Sequence, residues 1–409
     1  MNSILDSEQF YITKLDDEWY IFYNPFIHFA CKVSKVDLAI FNAIYNHKNI
    51  DAMLQSIDPR YHQYVSNVFE AVNKSNALVT ETDEDDAITV CPTDYYLHLT
   101  YRCNLDCLYC YNKSQRTNFK EMSLDDWKAI LDKTFPYAKR FVLTGGEPFL
   151  CKNIFSIIEY IKKNSDASIE IISNCMTDFM SYEYPDVFKL IDSITFSCDS
   201  LSSTHQDRKN FNPELFKTNI HFLRKTFPHL RITISSVSTC NNQLEIQEIH
   251  QLTLSEGTNF RSVLVVPNSE EEMYLMPSLT EYTHSLKFST GNLPSKRKFC
   301  GALIGVMSID PMGNVFPCQS LHFKEFSFGN LKTQDIKEII EDERVKAFRH
   351  NINVDHMQGC SNCKIKYICG GGCRAAGLKL TGNICGINST LCSYYKAKAS
   401  VQLQNIPRL

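Results

Sequence analysis

The 409-residue sequence, with 44% hydrophobic and 22% charged side chains, has the balance of an ordinary soluble protein long enough for two or three domains. A net charge of −4 and a pI near 6.3 give no basic footprint and exclude nucleic acid as the expected partner, and no apolar run approaches the ~18 residues of a membrane span. The opening MNSILDSEQF has no basic segment followed by an apolar one, so no signal peptide and a cytoplasmic location are expected, where seventeen cysteines point to metal or buried thiols and not to a disulfide framework.

In chain order, FYITKLDDEWYIFY (residues 10–23) sets two β-rich runs about a polar turn and predicts a hairpin. SKVDLAIFNAIYNH (34–47) spaces Leu38, Phe41 and Ile44 along one helical face, with Ser34 or Asp37 near the start. Residues 61–81 read as a second helix running into a short strand. The acidic ETDEDD (81–86) has no periodicity and reads as a linker. A small α+β unit over 1–84 is expected.

From 93 to about 270, β-rich runs alternate with helical patterns. The predicted strands are YLHLTY, RFVLTG, ASIEIIS, SITFSC, RITISSV and SVLVVP, with helices such as SLDDWKAILDKTF and IFSIIEYIKKN between them. Alternation of this kind implies a parallel sheet with right-handed crossovers, whose chemistry sits at the carboxyl ends of the strands. From 298 onward the periodic apolar pattern thins and Gly and Cys cluster in YICGGGCRAAG, so sparse regular structure stapled by metal is expected.

Just after the first strand of the central unit comes YRCNLDCLYCYNKS (101–114), with Cys103, Cys107 and Cys110 as C-x3-C-x2-C. Four thiolates would close an iron–sulfur cluster or a structural zinc; three leave one corner for another ligand. The spacing fits neither the usual zinc patterns nor the bacterial ferredoxin run. A buried Cys-rich loop, or zinc completed by a distant ligand, is the plainer alternative. The triad resembles the signature of radical SAM enzymes. That resemblance implies a [4Fe–4S] cluster held by Cys103, Cys107 and Cys110, with S-adenosylmethionine (SAM) completing the fourth iron. It also implies a partial (β/α)6 barrel, and Tyr109 packing toward the adenine. TGGEP (144–148) falls where that family carries its SAM-ammonium site, so Gly145, Gly146, Glu147 and Pro148 are expected there. Asn174 follows the third strand, and Ser197, in SCDS, would touch the ribose or carboxylate. Arg208 is a candidate for the carboxylate.

In the last region the order is Cys300, Gly313, Cys318, then Cys360-x2-Cys363-x5-Cys369-x3-Cys373, then Cys392. It resembles the SPASM domain of radical SAM peptide maturases, including that family's hairpin at IDPMGNVFPC with Gly313 at the turn. A zinc ribbon is the rival reading. The resemblance implies Cys300, Cys318 and Cys373 on a first auxiliary [4Fe–4S] cluster and Cys360, Cys363, Cys369 and Cys392 on a second, three clusters in all. Val306 stands where some members place a further ligand, which leaves the first auxiliary cluster with an open iron unless Cys385 closes it; Cys385 could also replace Cys392. Cys151, Cys175, Cys198 and Cys240 read as small buried hydrophobes, with a hydrogen-atom donor as the alternative.

The pattern EWYIFYNP followed by VSKVDLAIFNAI resembles the PqqD-like recognition element of ribosomal-peptide maturases, a winged-helix fold that takes a leader peptide as an added strand at a sheet edge; a structural cap is the alternative. The units expected are thus 1–84, 93–297 and 298–409. The activity implied is radical modification of a precursor peptide, with electrons from a flavodoxin- or ferredoxin-type donor. An oxidative C–S or C–C crosslink is expected, with epimerisation as the alternative. Formylglycine formation, as in anaerobic sulfatase maturases, is disfavoured because Gln319 stands where that family has Asp. A non-catalytic iron–sulfur partner is opposed by the intact triad and Glu147.

Overall fold

A computed structural model describes residues 9–25, 27–47, 50–55, 57–78, 91–117, 119–181, 185–202, 207–288 and 296–408. The acidic linker and the strand expected at 79–81 lie outside the described residues.

The first unit is a three-stranded antiparallel sheet, β1 (Tyr11–Lys14), β2 (Trp19–Asn24) and β3 (Phe29–Ser34), followed by α1 (Lys35–His47), α2 (Ile50–Gln55) and α3 (His62–Ser75). The expected hairpin is β1–β2. Helix α1 starts where Ser34 and Asp37 exchange bonds: the Asp37 amide donates to Ser34 Oγ (3.1 Å) and the Ser34 amide to the Asp37 carboxylate (2.7 Å), satisfying two otherwise orphan donors. One sheet face buries Phe22 and Val33 against Phe41, Ile44, Val65 and Val68. The other buries Ile21 and Tyr23 against the far end of the chain, Leu403 and Ile406. The Lys32 amide, on the outer edge of β3, donates to the Pro407 carbonyl (2.9 Å).

The central sheet is built from β4 (Asp94–Thr100), β6 (Arg140–Gly145), β7 (Ser168–Ser173), β8 (Ser193–Ser197), β10 (Arg231–Ser238) and β11 (Asn259–Leu264); a two-residue ladder, β5 (Asp106–Cys107) with β9 (Arg208–Lys209), stands apart. The six strands are parallel and in sequence order, which is the partial (β/α)6 barrel expected. Alternation decides the faces. Leu97, Phe141, Ile171, Phe196 and Ile234 point outward into one core. That core is closed by α4 (Leu124–Thr134), α5 (Ile154–Asn164), α6 (Pro213–Thr226) and α7 (Gln243–Glu256), through Trp127, Ile158, Leu223 and Ile249. Truncating a wholly buried side chain such as Ile158 costs about 2–5 kcal/mol at such a site. Most inward positions are polar, with Val142 and Ile172 among the exceptions, and Arg140 plugs the base by pairing with Asp94 (2.5 Å) and Glu170 (3.1 Å). Between β7 and β8 the crossover is made of 3-10 turns at Phe179–Ser181 and Pro185–Leu190 in place of the helix the alternation predicts.

After α8 (Leu279–Ser285), the strand β12 (Val306–Ile309) pairs in parallel with β4 and leads into β13 (Asn314–Phe316) and β14 (Gly329–Asn330). The barrel sheet therefore runs on across position 298. The β12–β13 turn is the hairpin expected, with Gly313 at φ +88°. The expectation of sparse regular structure beyond 298 needs correction. Helices α9 (Ile336–Glu341), α10 (Glu343–Asn351), α11 (Lys366–Cys369), α12 (Arg374–Thr381) and α13 (Ser389–Gln404) fill it. Most are too short to show a periodic stripe, and α13 packs on several partners at once, so its apolar residues do not gather on one face. Among the described residues no helix is long and apolar enough to cross a membrane.

Candidate functional site: a three-cysteine loop and a cysteine-lined cavity

The loop bearing Cys103, Cys107 and Cys110 leaves the carboxyl end of β4, the edge where parallel sheets carry their chemistry. It is tied down from three sides. The Gly146 amide donates to the Thr100 carbonyl and the Glu147 amide to the Arg102 carbonyl, both at 2.7 Å. Asn112 Nδ2 donates to the Gly145 carbonyl (2.7 Å). Cys107 pairs with Arg208 in the β5–β9 ladder, and the Leu108 amide donates to the Asp207 carbonyl (2.8 Å). A Cβ at Gly145 or Gly146 would overlap the backbone carbonyl of Thr100 or Arg102. The glycines allow β6 to abut the triad loop, so the close approach is to protein.

Glu147 is fully buried. Its carboxylate accepts from Ser173 Oγ (2.9 Å), the Asn174 amide (2.8 Å) and the Phe149 amide (3.3 Å). Burial nevertheless lifts it to about 7, against those donors and Arg208. Pro148 opens the 3-10 turn that Glu147 caps. Asn174 sits beside the triad, with Nδ2 3.7 Å from Cys103 Sγ. Tyr109 does not stand free: its hydroxyl donates to Asp199 and accepts from Arg208 Nη2 (3.0 Å), while Arg208 Nε meets Asp199 at 3.1 Å. An anionic ligand reaching Arg208 would share it with Asp199. Ser197 ends β8 opposite Ser235.

Several groups at this site carry no local sequence signal. Arg116 donates through Nη2 to Cys110 Sγ (3.3 Å) and through Nη1 to the Leu105 carbonyl (2.8 Å). Arg116 Nε and Asn112 Oδ1 are buried with no partner, as expected of a site built to meet something beyond the protein. Burial raises the Cys107 thiol to about 11, with Arg208 opposing; it raises Cys103 too, opposed by the Leu105 amide and then Arg116. Lys379, on α12, donates to Asn268 Oδ1 (2.9 Å). Burial pulls its ammonium down, while Cys373, Glu272, Cys110 and Cys318 hold it up.

In that unit the cysteines fall into two groups. The Leu303 amide donates to the Pro317 carbonyl (3.1 Å), bringing the turns that hold Cys300 and Cys318 together. Cys318 is raised by burial and by its neighbours Cys373 and Cys300. A cavity of about 500 Å³ is lined by Cys360, Cys363, Cys369, Cys373 and Cys392, with Lys366, Tyr395 and Tyr11 among the other walls. Burial lifts Cys369 to about 11, with Cys360, Cys392 and Cys363 adding. Gly370, Gly371 and Gly372 take φ values of +65°, +73° and +72°, a left-handed run that only glycine adopts without strain; it swings the chain from Cys369 to Cys373 around the cavity. Among the described residues no three His, Cys, Asp or Glu side chains converge closely enough for a single metal ion. The thiols instead enclose a space larger than an ion, which suits a multi-iron cluster. Cys385 lies in a neighbouring cavity with His356 and Asn383, its thiol donating to the Asn351 carbonyl (3.1 Å). Cys151, Cys175 and Cys198 are buried; Cys240 is exposed.

Residues 97–244 match the radical SAM superfamily and residues 300–364 match the SPASM iron–sulfur cluster-binding domain. The subtilosin biosynthesis protein AlbA of Bacillus subtilis is 26% identical over 310 residues, 70% of this chain and 68% of that protein. The AdoMet-dependent heme synthase of Methanosarcina barkeri is 23% identical over 344 residues, 73% of this chain and 95% of that protein. Streptococcus suis SuiB bound to precursor peptide SuiA shares the fold at a TM-score of 0.60 and 14% identity, over 94% of this chain and 99% of that one.

Proposed function

We propose that this chain, which carries a radical SAM domain and a SPASM domain, is a maturase that oxidatively crosslinks a ribosomally made precursor peptide through a C–S or C–C bond. The observation that carries the reading is the presence in one chain of an incomplete three-cysteine loop at the carboxyl end of β4 and of a cysteine-walled cavity in the last unit, on which the three-stranded first unit packs. Similarity to a bacteriocin biosynthesis protein and a shared fold with a peptide-bound enzyme support a peptide as the substrate.

In this reading Cys103, Cys107 and Cys110 hold the SAM-binding [4Fe–4S] cluster. Cys300, Cys318 and Cys373 hold a first auxiliary cluster, and Cys360, Cys363, Cys369 and Cys392 a second. When loaded, the triad site supplies one-electron cleavage of the SAM sulfonium and so hydrogen abstraction from the peptide. Arg116 donates to the Cys110 sulfur and sets the charge there. Glu147 and Asn174 hold the cradle for the methionyl end of SAM. Asp199 and Arg208 fix Tyr109 where the adenine is expected. The first unit takes the leader along a sheet edge, and a flavodoxin- or ferredoxin-type protein delivers electrons.

Co-expression with a short peptide, should one be encoded beside this gene, tests the proposal. The expected product is lighter by two hydrogens per crosslink. A product of unchanged mass, with 5′-deoxyadenosine still formed, would point to epimerisation. Reconstituted protein that forms no 5′-deoxyadenosine from SAM and a reductant would sink the proposal.

A further inference from the structure

Arg374 occupies the first turn of α12, immediately after Cys373, with only 3% of its surface exposed. Its guanidinium is charged at any working pH, and a buried charge is costly unless something opposite compensates it. Two buried or half-buried arginines of the barrel are compensated: Arg208 by Asp199, Arg140 by Asp94 and Glu170. Arg374 meets no carboxylate among the described residues. Nη1 rests on the Met357 thioether, Nη2 donates to the Gly372 carbonyl (3.2 Å), and Nε is buried with no acceptor. A thioether and one carbonyl are weak company for a full charge.

Both contacts lead to cysteines. The Met357 carbonyl accepts from the Cys360 amide (3.0 Å), and Gly372 directly precedes Cys373. One uncompensated cation thus sits against the backbone that carries a member of each cysteine group, Cys373 through Gly372 and Cys360 through Met357.

We infer that Arg374 is the shared counter-cation of the two auxiliary iron–sulfur sites and raises the reduction potential of both. The inference rests on the reading that these cysteines hold iron–sulfur clusters. A cluster gains one negative charge on reduction, so a fixed neighbouring cation stabilises the reduced form more than the oxidised one. Arg374 therefore biases both sites toward accepting an electron.

The test is an EPR-monitored potentiometric titration of anaerobically reconstituted full-length protein, with iron and sulfide counted first. Wild type is compared with Arg374→Gln and Arg374→Lys. In Arg374→Gln both auxiliary midpoints are expected to fall. At a fixed potential the reduced-to-oxidised ratio drops about tenfold, which for a one-electron couple is about 59 mV. The triad signal, recognised by its response to SAM, should not move, and Arg374→Lys should stay near wild type. Iron lost from Arg374→Gln but kept by Arg374→Lys would also support a counter-charge. Unmoved auxiliary midpoints at full iron load, an equal shift at the triad, or iron lost from both variants would overturn the inference. Wild-type protein with no iron at the C-terminal cysteines would overturn the functional reading and this inference together, and the iron count distinguishes that case.

Discussion

The two cysteine-bearing regions are built on opposite plans. The triad loop is an appendage of a finished scaffold: the barrel core closes behind it with Trp127, Phe141, Ile158 and Phe196 wholly buried, and backbone bonds from β6 and the β5–β9 ladder hold the loop from outside. The last unit is built around an absence of side chains. Its cavity is walled by five cysteines and turned by three left-handed glycines, and its helices are mostly short. Apolar packing is thus the framework of the first region; in the second, short helices flank a thiol-walled space that, on the proposed reading, bound clusters complete. The difference teaches where stability and chemistry separate: losing the ligands at the triad should cost function and leave the fold, whereas losing them in the last unit should cost the fold there.

The sharpest way to break this comparison is to replace Cys103, Cys107 and Cys110 together by Ala. Formation of 5′-deoxyadenosine should vanish while the circular dichroism spectrum and melting temperature stay put; collapse of the fold would contradict the plan. The converse is Cys360→Ser with Cys392→Ser. Hydrogen exchange across α11–α13 should accelerate strongly, corresponding to several kcal/mol of local stability, with β4–β8 unchanged.

Next comes Gly146→Ala. The added methyl overlaps the Arg102 carbonyl, so more than about 3 kcal/mol of barrel stability should be lost. Urea denaturation checks this, and a loss within 0.5 kcal/mol (roughly the scale of a neutral surface change) would show that the glycine serves a ligand instead. A pH series probes Glu147, raised by burial from 4.5 to about 7. The folded state holds its proton where the unfolded state has released it. Its contribution is therefore fully present below pH 4.5 and is lost as pH rises through about 7, on the order of 3 kcal/mol in all. Glu147→Gln should flatten that segment of the stability profile; an unchanged slope would reassign it. The smallest effect is expected for Asn388→Ala. Asn388 Oδ1 accepts from the Leu391 amide (3.1 Å) at the start of the helix carrying Cys392, and removing this cap should cost about 1 kcal/mol, seen as earlier melting of α13.

Much of the molecule is legible in its sequence because it is local. Period-two runs place the six barrel strands to within three residues at either end, as with residues 96–101 against Asp94–Thr100. Ser123 marks the start of α4 through a capping box with Asp126. The cysteine order itself is plain in the sequence, while the grouping of Cys360, Cys363, Cys369 and Cys392 apart from Cys300 and Cys318 is what the SPASM resemblance implies. Other features have no local trace. Nothing in residues 306–309 says that they pair with a strand more than two hundred positions earlier. Nothing near Arg116, Asp199, Lys379 or Arg374 says which sulfur or hydroxyl each will face.

By itself, then, the chain's order of residues determined the kinds of element, the barrel alternation and the inventory of thiols, because side-chain periodicity and ligand spacing are written over a few neighbouring positions. Only the tertiary structure decided which cation meets which cysteine, why Gly145 and Gly146 cannot carry a side chain, and that the first unit packs on the last. Those outcomes depend on segments far apart in sequence coming within a few ångströms, where burial turns weak charges and single methyl groups into decisive terms.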